Sequence, residues 1–195
     1  MNISLKENGI NMRIEPTKLK GLFLIYPEQL SDNRGFFMEV YRKDALSMYG
    51  ISADFVQENH SSSVKNVLRG LHFQWNPKLG KLIRVIGGKA FAVAVDIRST
   101  SPTLGKWVSC ELSYENSIQM YAPAGFATGF CVTGKNADIE YHYTALYNPE
   151  GESNIIWNDQ RIGVQWPISN PIISPRDAKA GTLKEWLKRP ESKLL

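Results

Sequence analysis

An all-β fold, a sandwich or barrel of antiparallel strands, is the class this sequence predicts, and three observations predict it. Runs of apolar, β-branched and aromatic residues are short and are separated at close intervals by Pro, Gly and Asn turns. From residue 80 onward no long helical stretch intervenes between them. Several runs also alternate with period two, as in residues 89 to 96, where Lys89, Phe91, Val93 and Val95 oppose Ala90, Ala92, Ala94 and Asp96.

In chain order, residues 22 to 26 read as a short apolar strand, and Asp32-Asn33-Arg34-Gly35 reads as a turn feeding a second strand over residues 36 to 41. Residues 44 to 49 suit one or two helical turns. Residues 55 to 63 (Phe-Val-Gln-Glu-Asn-His-Ser-Ser-Ser) are too rich in hydrogen-bonding groups for a core strand. Residues 67 to 74 (Val-Leu-Arg-Gly-Leu-His-Phe-Gln) read as a strand that places Leu68, Gly70, His72 and Gln74 on one face and Arg69, Leu71 and Phe73 on the other. Residues 81 to 86 and 89 to 96 flank Gly87-Gly88, which reads as a two-residue hairpin turn. The alanine face of the second of these strands is small enough to border a pocket. Further strands are expected over residues 107 to 112, 117 to 121, 125 to 133 and 137 to 144, and a short C-terminal helix over 183 to 188.

A length of 195 residues suits a single domain, residues 1 to 195, with residues 1 to 11 as an N-terminal extension. The net charge of +4 is spread over scattered Lys and Arg residues without a basic run, which argues against a nucleic-acid partner. A locally basic pocket for a small anionic solute would need only a few of these residues. Cys110 and Cys131 show neither framework spacing nor a CxxC pair and are expected as buried, reduced thiols. No signal-like run occurs within residues 1 to 20, and no apolar run reaches the roughly 18 residues of a membrane span. A cytoplasmic protein without a membrane partner is therefore expected.

Motifs sharpen this reading. Phe55-Val56-Gln57-Glu58-Asn59, Leu68-Arg69-Gly70-Leu71-His72-Phe73-Gln74 and Gly80-Lys81-Leu82-Ile83-Arg84-Val85 follow one another. After them come Asp96-Ile97-Arg98, Ser101-Pro102-Thr103, Pro123-Ala124-Gly125-Phe126-Ala127, Trp157-Asn158-Asp159 and Pro171-Ile172-Ile173-Ser174 with Asp177. Their order, over roughly residues 15 to 180, resembles the dTDP-4-dehydrorhamnose 3,5-epimerase family. The resemblance implies a cupin-type jelly-roll barrel with short peripheral helices, and a homodimer that exchanges N-terminal strands. It also implies an isomerase without cofactor or metal, which inverts C3 and C5 of a nucleotide-linked 4-keto-6-deoxyhexose, converting dTDP-4-dehydro-6-deoxy-D-glucose to dTDP-4-dehydro-L-rhamnose.

Epimerisation beside a ketone needs a base, a partner for the enolate oxygen and a proton donor on the opposite face. Histidine, with an ordinary pKa of about 6.5, suits the base. By resemblance His72 takes that role, Asp177 orients it, Lys81 holds the enolate and Tyr141 returns the proton. Arg34, Glu39, Gln57, Asn59, Arg69, Thr128 and Tyr147 match positions that contact substrate in relatives, and arginine's planar fork suits phosphate. Without the motifs these residues would read as a structural histidine, a helix-start aspartate, a solvated lysine and packed tyrosines. Two positions depart from the family pattern: Thr128 where histidine is common, and His142 where lysine is. Other readings are an epimerase acting at C3 or C5 only or on another nucleotide-keto-sugar, a binding-only jelly roll, and a metal-dependent cupin using His72, Gln74 and His142, although Gln74 spoils the His-x-His pair such sites favour.

Overall fold

The structure, a computed structural model, describes residues 11–51 and 54–195, so the 1 to 11 extension lies almost wholly outside the described residues. Among the described residues, β1 (Met12–Pro16) and β2 (Phe23–Pro27) pair antiparallel, and β3 (Gln29–Asp32) and β4 (Gly35–Met38) form a separate exposed hairpin that turns at Asn33-Arg34, within the expected Asp32-Asn33-Arg34-Gly35 turn. The short helix α1 (Lys43–Met48) follows, then β5 (Gln57–Val64), β6 (Leu68–Gln74), β7 (Lys81–Asp96), β8 (Trp107–Ser113), β9 (Gln119–Ala122), β10 (Phe126–Tyr143) and β11 (Glu152–Asn154). Two one-turn α-helices follow, α2 (Pro175–Ala178) and α3 (Leu183–Trp186), the second shorter than the expected 183 to 188, and after them comes a 3-10 helix over Pro190–Leu194. The polar tract expected to avoid the core is β5, a strand that pairs with β10 alone.

Two long strands organise everything else. β7 and β10 run antiparallel from Phe126↔Asp96 to Tyr143↔Lys81. At one end β9 lies beside β7 and β5 beside β10; at the other β8 lies beside β7 and β6 beside β10, with β11 beyond β6. The two ends thus belong to two layers that share their central strands, which is the jelly-roll arrangement. One core fills the space between the layers and includes Ile83, Val85, Ala90, Ala92, Ala94, Met120, Phe126, Phe130, Val132 and Ile139. A second sits under α1, with Ile14, Ile25, Leu46 and Leu82, and a third under α3, with Leu71, Phe73, Val93, Val95 and Trp186. Burying each such large side chain contributes roughly 1.5–3 kcal/mol.

A strand that passes from one layer to the next must keep its interior side chains interior, and the register shows how. On β7 the inward residues are 83 and 85 before Gly87-Gly88 but 90, 92 and 94 after it; on β10 they are 126, 130 and 132 before residues 133 to 136 but 137 and 139 after. Both strands therefore reverse their alternation at the corner, where the pairing register shifts. Gly87-Gly88 is accordingly not the hairpin turn expected from the sequence. It is a bulge inside one 16-residue strand, because residues 81–86 and 89–96 pair with β10 rather than with each other. Gly88 has φ +72°, and a Cβ there would come within 2.0 Å of the Asn136 carbonyl oxygen. For the same reason the two strands expected over 125 to 133 and 137 to 144 are one strand, β10.

β6 contains the same device. Thr128 faces His72, but Phe130 faces Arg69, so two residues of β10 oppose three of β6. The extra residue lies at Gly70, with φ +137°, where a Cβ would meet the Gly129 Cα at 2.6 Å. Strict alternation put Arg69 opposite His72; the bulge turns both toward one cavity and leaves Leu71 and Phe73 in the third core. Both cysteines are free among the described residues, but only Cys131 is buried as expected, and burial pushes its thiol pKa up to about 12; Cys110 is half-buried. No helix of the described residues is long and apolar enough to cross a membrane.

Gly35 also has a positive φ, +131°, but nothing lies within 4 Å of a Cβ built there. Comparing the two glycines separates backbone conformation, which costs about 1–3 kcal/mol in either place, from the close approach unique to Gly70. Gly70→Ala is expected to lower the thermal midpoint by at least about 5 °C more than Gly35→Ala, a difference readable by calorimetry. Equal losses would mean that the Gly70–Gly129 contact does not constrain the fold.

Candidate active site

Between the layers lies a cavity of about 170 Å³ bordered by Arg69, His72, Lys81, Thr128, Tyr141 and Tyr143, with Ile83, Ala92 and Phe130 as its apolar wall. Lys81 and Ile83 come from the first-layer end of β7, and Tyr141 and Tyr143 from the first-layer end of β10. Thr128 and Phe130 come from the second-layer end of β10, and Arg69 and His72 from β6. His72 and Tyr141 thus face the cavity from opposite layers. The alanine face of β7 borders it, as expected, through Ala92.

His72 is held by Asp177 across 105 residues of chain: its Nε2 lies 2.6 Å from the Asp177 Oδ1. Asp177 sits in the first turn of α2, where Ser174 caps the helix by accepting the Asp177 backbone N–H at 3.0 Å. Burial alone would raise the Asp177 pKa, but the hydrogen bond and charge of the His72 ring outweigh it, helped by the Gly70 N–H and the Asn154 amide, and the carboxyl is held below its ordinary value. An ionised Asp177 keeps the proton on Nε2 and leaves Nδ1 as the basic nitrogen of the ring. Asn154, which donates its Nδ2 to Asp177 Oδ1 at 3.3 Å, lies on β11 opposite His72.

Lys81 is buried, and its ammonium crosses from the first layer to the second, donating to the His72 carbonyl at 3.2 Å and to Thr128 Oγ1 at 3.1 Å. Desolvation lowers its pKa from 10.5 to about 8. A cation held in so dry a place acts on developing negative charge far more strongly than one in water. Tyr141 shares a 3.0 Å hydrogen bond with Ser61, and burial pushes its pKa up. Tyr143 is raised by burial to about 12. Both phenols thus hold transferable protons throughout the neutral range.

Of the remaining expected residues, Arg69 borders the cavity and donates its Nε to the buried Ser63 at 3.1 Å. Gln57 and Asn59 are joined on β5 by a 3.0 Å bond, and Gln57 Oε1 accepts the Tyr147 backbone N–H at 2.8 Å. Tyr147 does not line the cavity; half exposed, it donates its hydroxyl to Glu152, which also pairs with Arg176. Arg34 does not either: it stands on the β3–β4 hairpin paired with Asp32 at 2.6 Å. Glu39, just beyond that hairpin, has a buried Oε1 without a partner among the described residues. Gln74 was expected beside His72 on a reactive surface. Instead it is buried, donating to the Pro77 and Leu146 carbonyls and accepting the Asn148 N–H, so it fixes the loop that carries Tyr147.

Sequence reading missed Tyr143, Ser61 and Asn154. Tyr143 was findable, since two residues after Tyr141 it must share its face; Asn154 reaches the site only through the β6–β11 pairing, which no local signal announces. The ligand set His72, Gln74 and His142 is not assembled. His142 points away from Tyr141 and packs against Phe55 and Glu58. Among the described residues, Glu58, Glu140 and His142 form the donor group close enough to gather a cation, and there the Arg84 guanidinium already binds Glu140 at 2.6 Å.

Comparison with known proteins identifies the family. A family model described as dTDP-4-dehydrorhamnose 3,5-epimerase matches residues 16–185. The Shigella flexneri protein of that name is 44% identical over 168 residues, covering 85% of this chain and 93% of its own length. The Neisseria gonorrhoeae protein of the same name is 47% identical over 184 residues, covering 94% of this chain, which spans only 55% of that longer protein. A solved structure from Legionella pneumophila, of dTDP-6-deoxy-D-glucose-3,5-epimerase in complex with dTDP-4-keto-L-rhamnose, superposes with a TM-score of 0.86 at 43% identity, covering 89% of this chain and 93% of that one. With a family model matching residues 16–185, a relative 44% identical that is covered over 93% of its length, and a solved structure that superposes at a TM-score of 0.86, the chain belongs to the dTDP-4-dehydrorhamnose 3,5-epimerase family.

Proposed function

We propose that this protein inverts C3 and C5 of dTDP-4-dehydro-6-deoxy-D-glucose to form dTDP-4-dehydro-L-rhamnose, with His72 as the base, Asp177 as its orienting partner, Lys81 at the enolate oxygen and Tyr141 as the opposing acid. The observation that carries the reading is the convergence of these groups from two layers on one cavity. In each half-reaction His72 Nδ1 takes the proton from the carbon beside the C4 ketone, and the electron pair moves onto the ketone oxygen. The Lys81 ammonium stabilises the enolate there without changing its own position. Tyr141, on the opposite layer, gives its proton to the other face of the same carbon, and the configuration inverts. Arg69 suits the diphosphate, and Gln57, Asn59, Thr128 and Tyr147 border the approach to the sugar.

We place Arg34 and Glu39 in the neighbouring subunit's site. Their hairpin exposes Leu30, Phe36 and Phe37, the last 71% exposed, an apolar surface that a homodimer would cover. The protein's location in the cytoplasm is part of the same proposal.

In deuterium oxide with the dTDP-4-keto sugar, proton NMR is expected to show exchange and inversion at both C3 and C5. Tyr141→Phe is expected to keep solvent exchange while losing inverted product by about 10²-fold or more, because abstraction survives and delivery from the far face does not. Equal loss of both would move Tyr141 to a binding role and make Tyr143 or water the acid.

Lys81 works only as the cation. Because its pKa is lowered to about 8, kcat/KM should show a basic limb, falling as pH rises through that value. Lys81→Arg, which stays charged, should abolish that basic limb even at a reduced rate. A limb that persists in the variant belongs to another group.

Arg34→Ala is expected to raise KM with little change in the fold. Mixing Arg34→Ala with an inactive His72→Ala protein should restore about a quarter of the activity if subunits exchange freely, since hybrid dimers then contain one intact site. No restoration after verified exchange would place Arg34 outside the partner's site.

A further inference from the structure

A second cavity, of about 490 Å³, opens on the other side of the third core and shares no lining residue with the one around His72. Its floor is apolar and closed: Leu19, Ile162 and Leu183 are buried. One wall is the half-buried indole of Trp107, which also borders an adjoining cavity of about 370 Å³. At its rim stand three exposed cations from three separate parts of the chain, Lys18, Lys106 and Arg161.

Among the described residues, none of these three side chains has a carboxylate partner, whereas the exposed Arg13, Arg34 and Arg189 are each paired with a neighbouring acid. The two buried acids beside the cavity do not neutralise them: the Asp159 carboxylate accepts the backbone N–H groups of Arg161, Ile162 and Leu183, and the Asp96 carboxylate is taken up by Arg98, Ser101 and Thr103. The mechanism derived above uses none of these residues.

An apolar floor with a flat aromatic wall and unpaired cations at the mouth recognises one kind of solute: a small organic anion whose planar apolar body enters and whose head group stays at the rim. A neutral apolar ligand would leave the three cations without a role, and a compact inorganic anion would leave the floor unfilled. We propose that this cavity is a second binding site, separate from the epimerase pocket, for an aromatic organic anion bearing a phosphate, sulfonate or carboxylate. The proposal does not depend on the identity of the epimerase substrate.

The probe is 8-anilinonaphthalene-1-sulfonate, titrated by fluorescence into the full-length protein, with neutral N-phenyl-1-naphthylamine as its uncharged counterpart. Saturable binding of the sulfonate, undiminished by excess dTDP, is expected. The double variant Lys106→Glu with Arg161→Glu, which alters only exposed side chains, should weaken it by about fivefold or more, while changing binding of the neutral probe by less than about twofold. Trp107→Leu should weaken both probes, and the thermal midpoint of each variant confirms an intact fold. Absence of saturable binding, displacement by dTDP, or a smaller effect in the charge-reversed variant would each overturn the proposal.

Discussion

The Lys81 ammonium crosses the dry interior from one layer to the other, and its position depends on a constraint imposed along the whole barrel: β7 and β10 must each serve two layers while keeping one face inward. A period-two strand can do this only if it gains or loses a residue at the corner. The bulges at Gly87-Gly88 and at residues 133 to 136 supply that change, and the β6 bulge at Gly70 repeats it beside the histidine. Without them Arg69 would face away from His72, and residues 81, 83, 92, 128 and 141 would not share a cavity.

The chemistry follows from placing few charges in a space that excludes water. Asp177 is nearly inaccessible, yet His72, the Gly70 N–H and Asn154 keep it ionised, and that fixed negative charge decides which ring nitrogen carries the proton. Lys81 is less well compensated: its two acceptors, a carbonyl and a threonine hydroxyl, are neutral. Its lowered pKa reflects its desolvation, and in the proposed reaction the developing enolate oxygen supplies the missing negative charge. Thr128 therefore gives Lys81 a neutral partner that holds it in place.

Much of this was legible in the sequence where a motif or a period carried the signal. The strands, the alanine face of β7 and the set His72, Lys81, Tyr141 and Asp177 could be named before any coordinates, the last four only because the motifs occur in family order. What period two could not reveal was its own interruption: Gly87-Gly88 has the composition of a hairpin turn, and only pairing with β10 makes it a bulge. Asn154 and Ser61 reach the site through long-range pairing, and Gln74 looked reactive because it shares a strand with His72, although both its amide hydrogens go to the Pro77 and Leu146 carbonyls and its oxygen accepts the Asn148 N–H. Arg34 and Glu39 show the opposite case, residues marked by motif that a single chain leaves away from its own cavity.

The central claim is that ionised Asp177 fixes the His72 tautomer and so makes Nδ1 the base. Nitrogen-15 NMR of histidine-labelled protein, recorded where the ring is neutral and assigned with His72→Asn, reads this directly. The account predicts that neutral His72 carries its proton on Nε2, with a strongly deshielded bonded proton, and that Asp177→Asn lets the ring take up the other tautomer in part. A neutral His72 protonated on Nδ1 in the wild-type protein would contradict it.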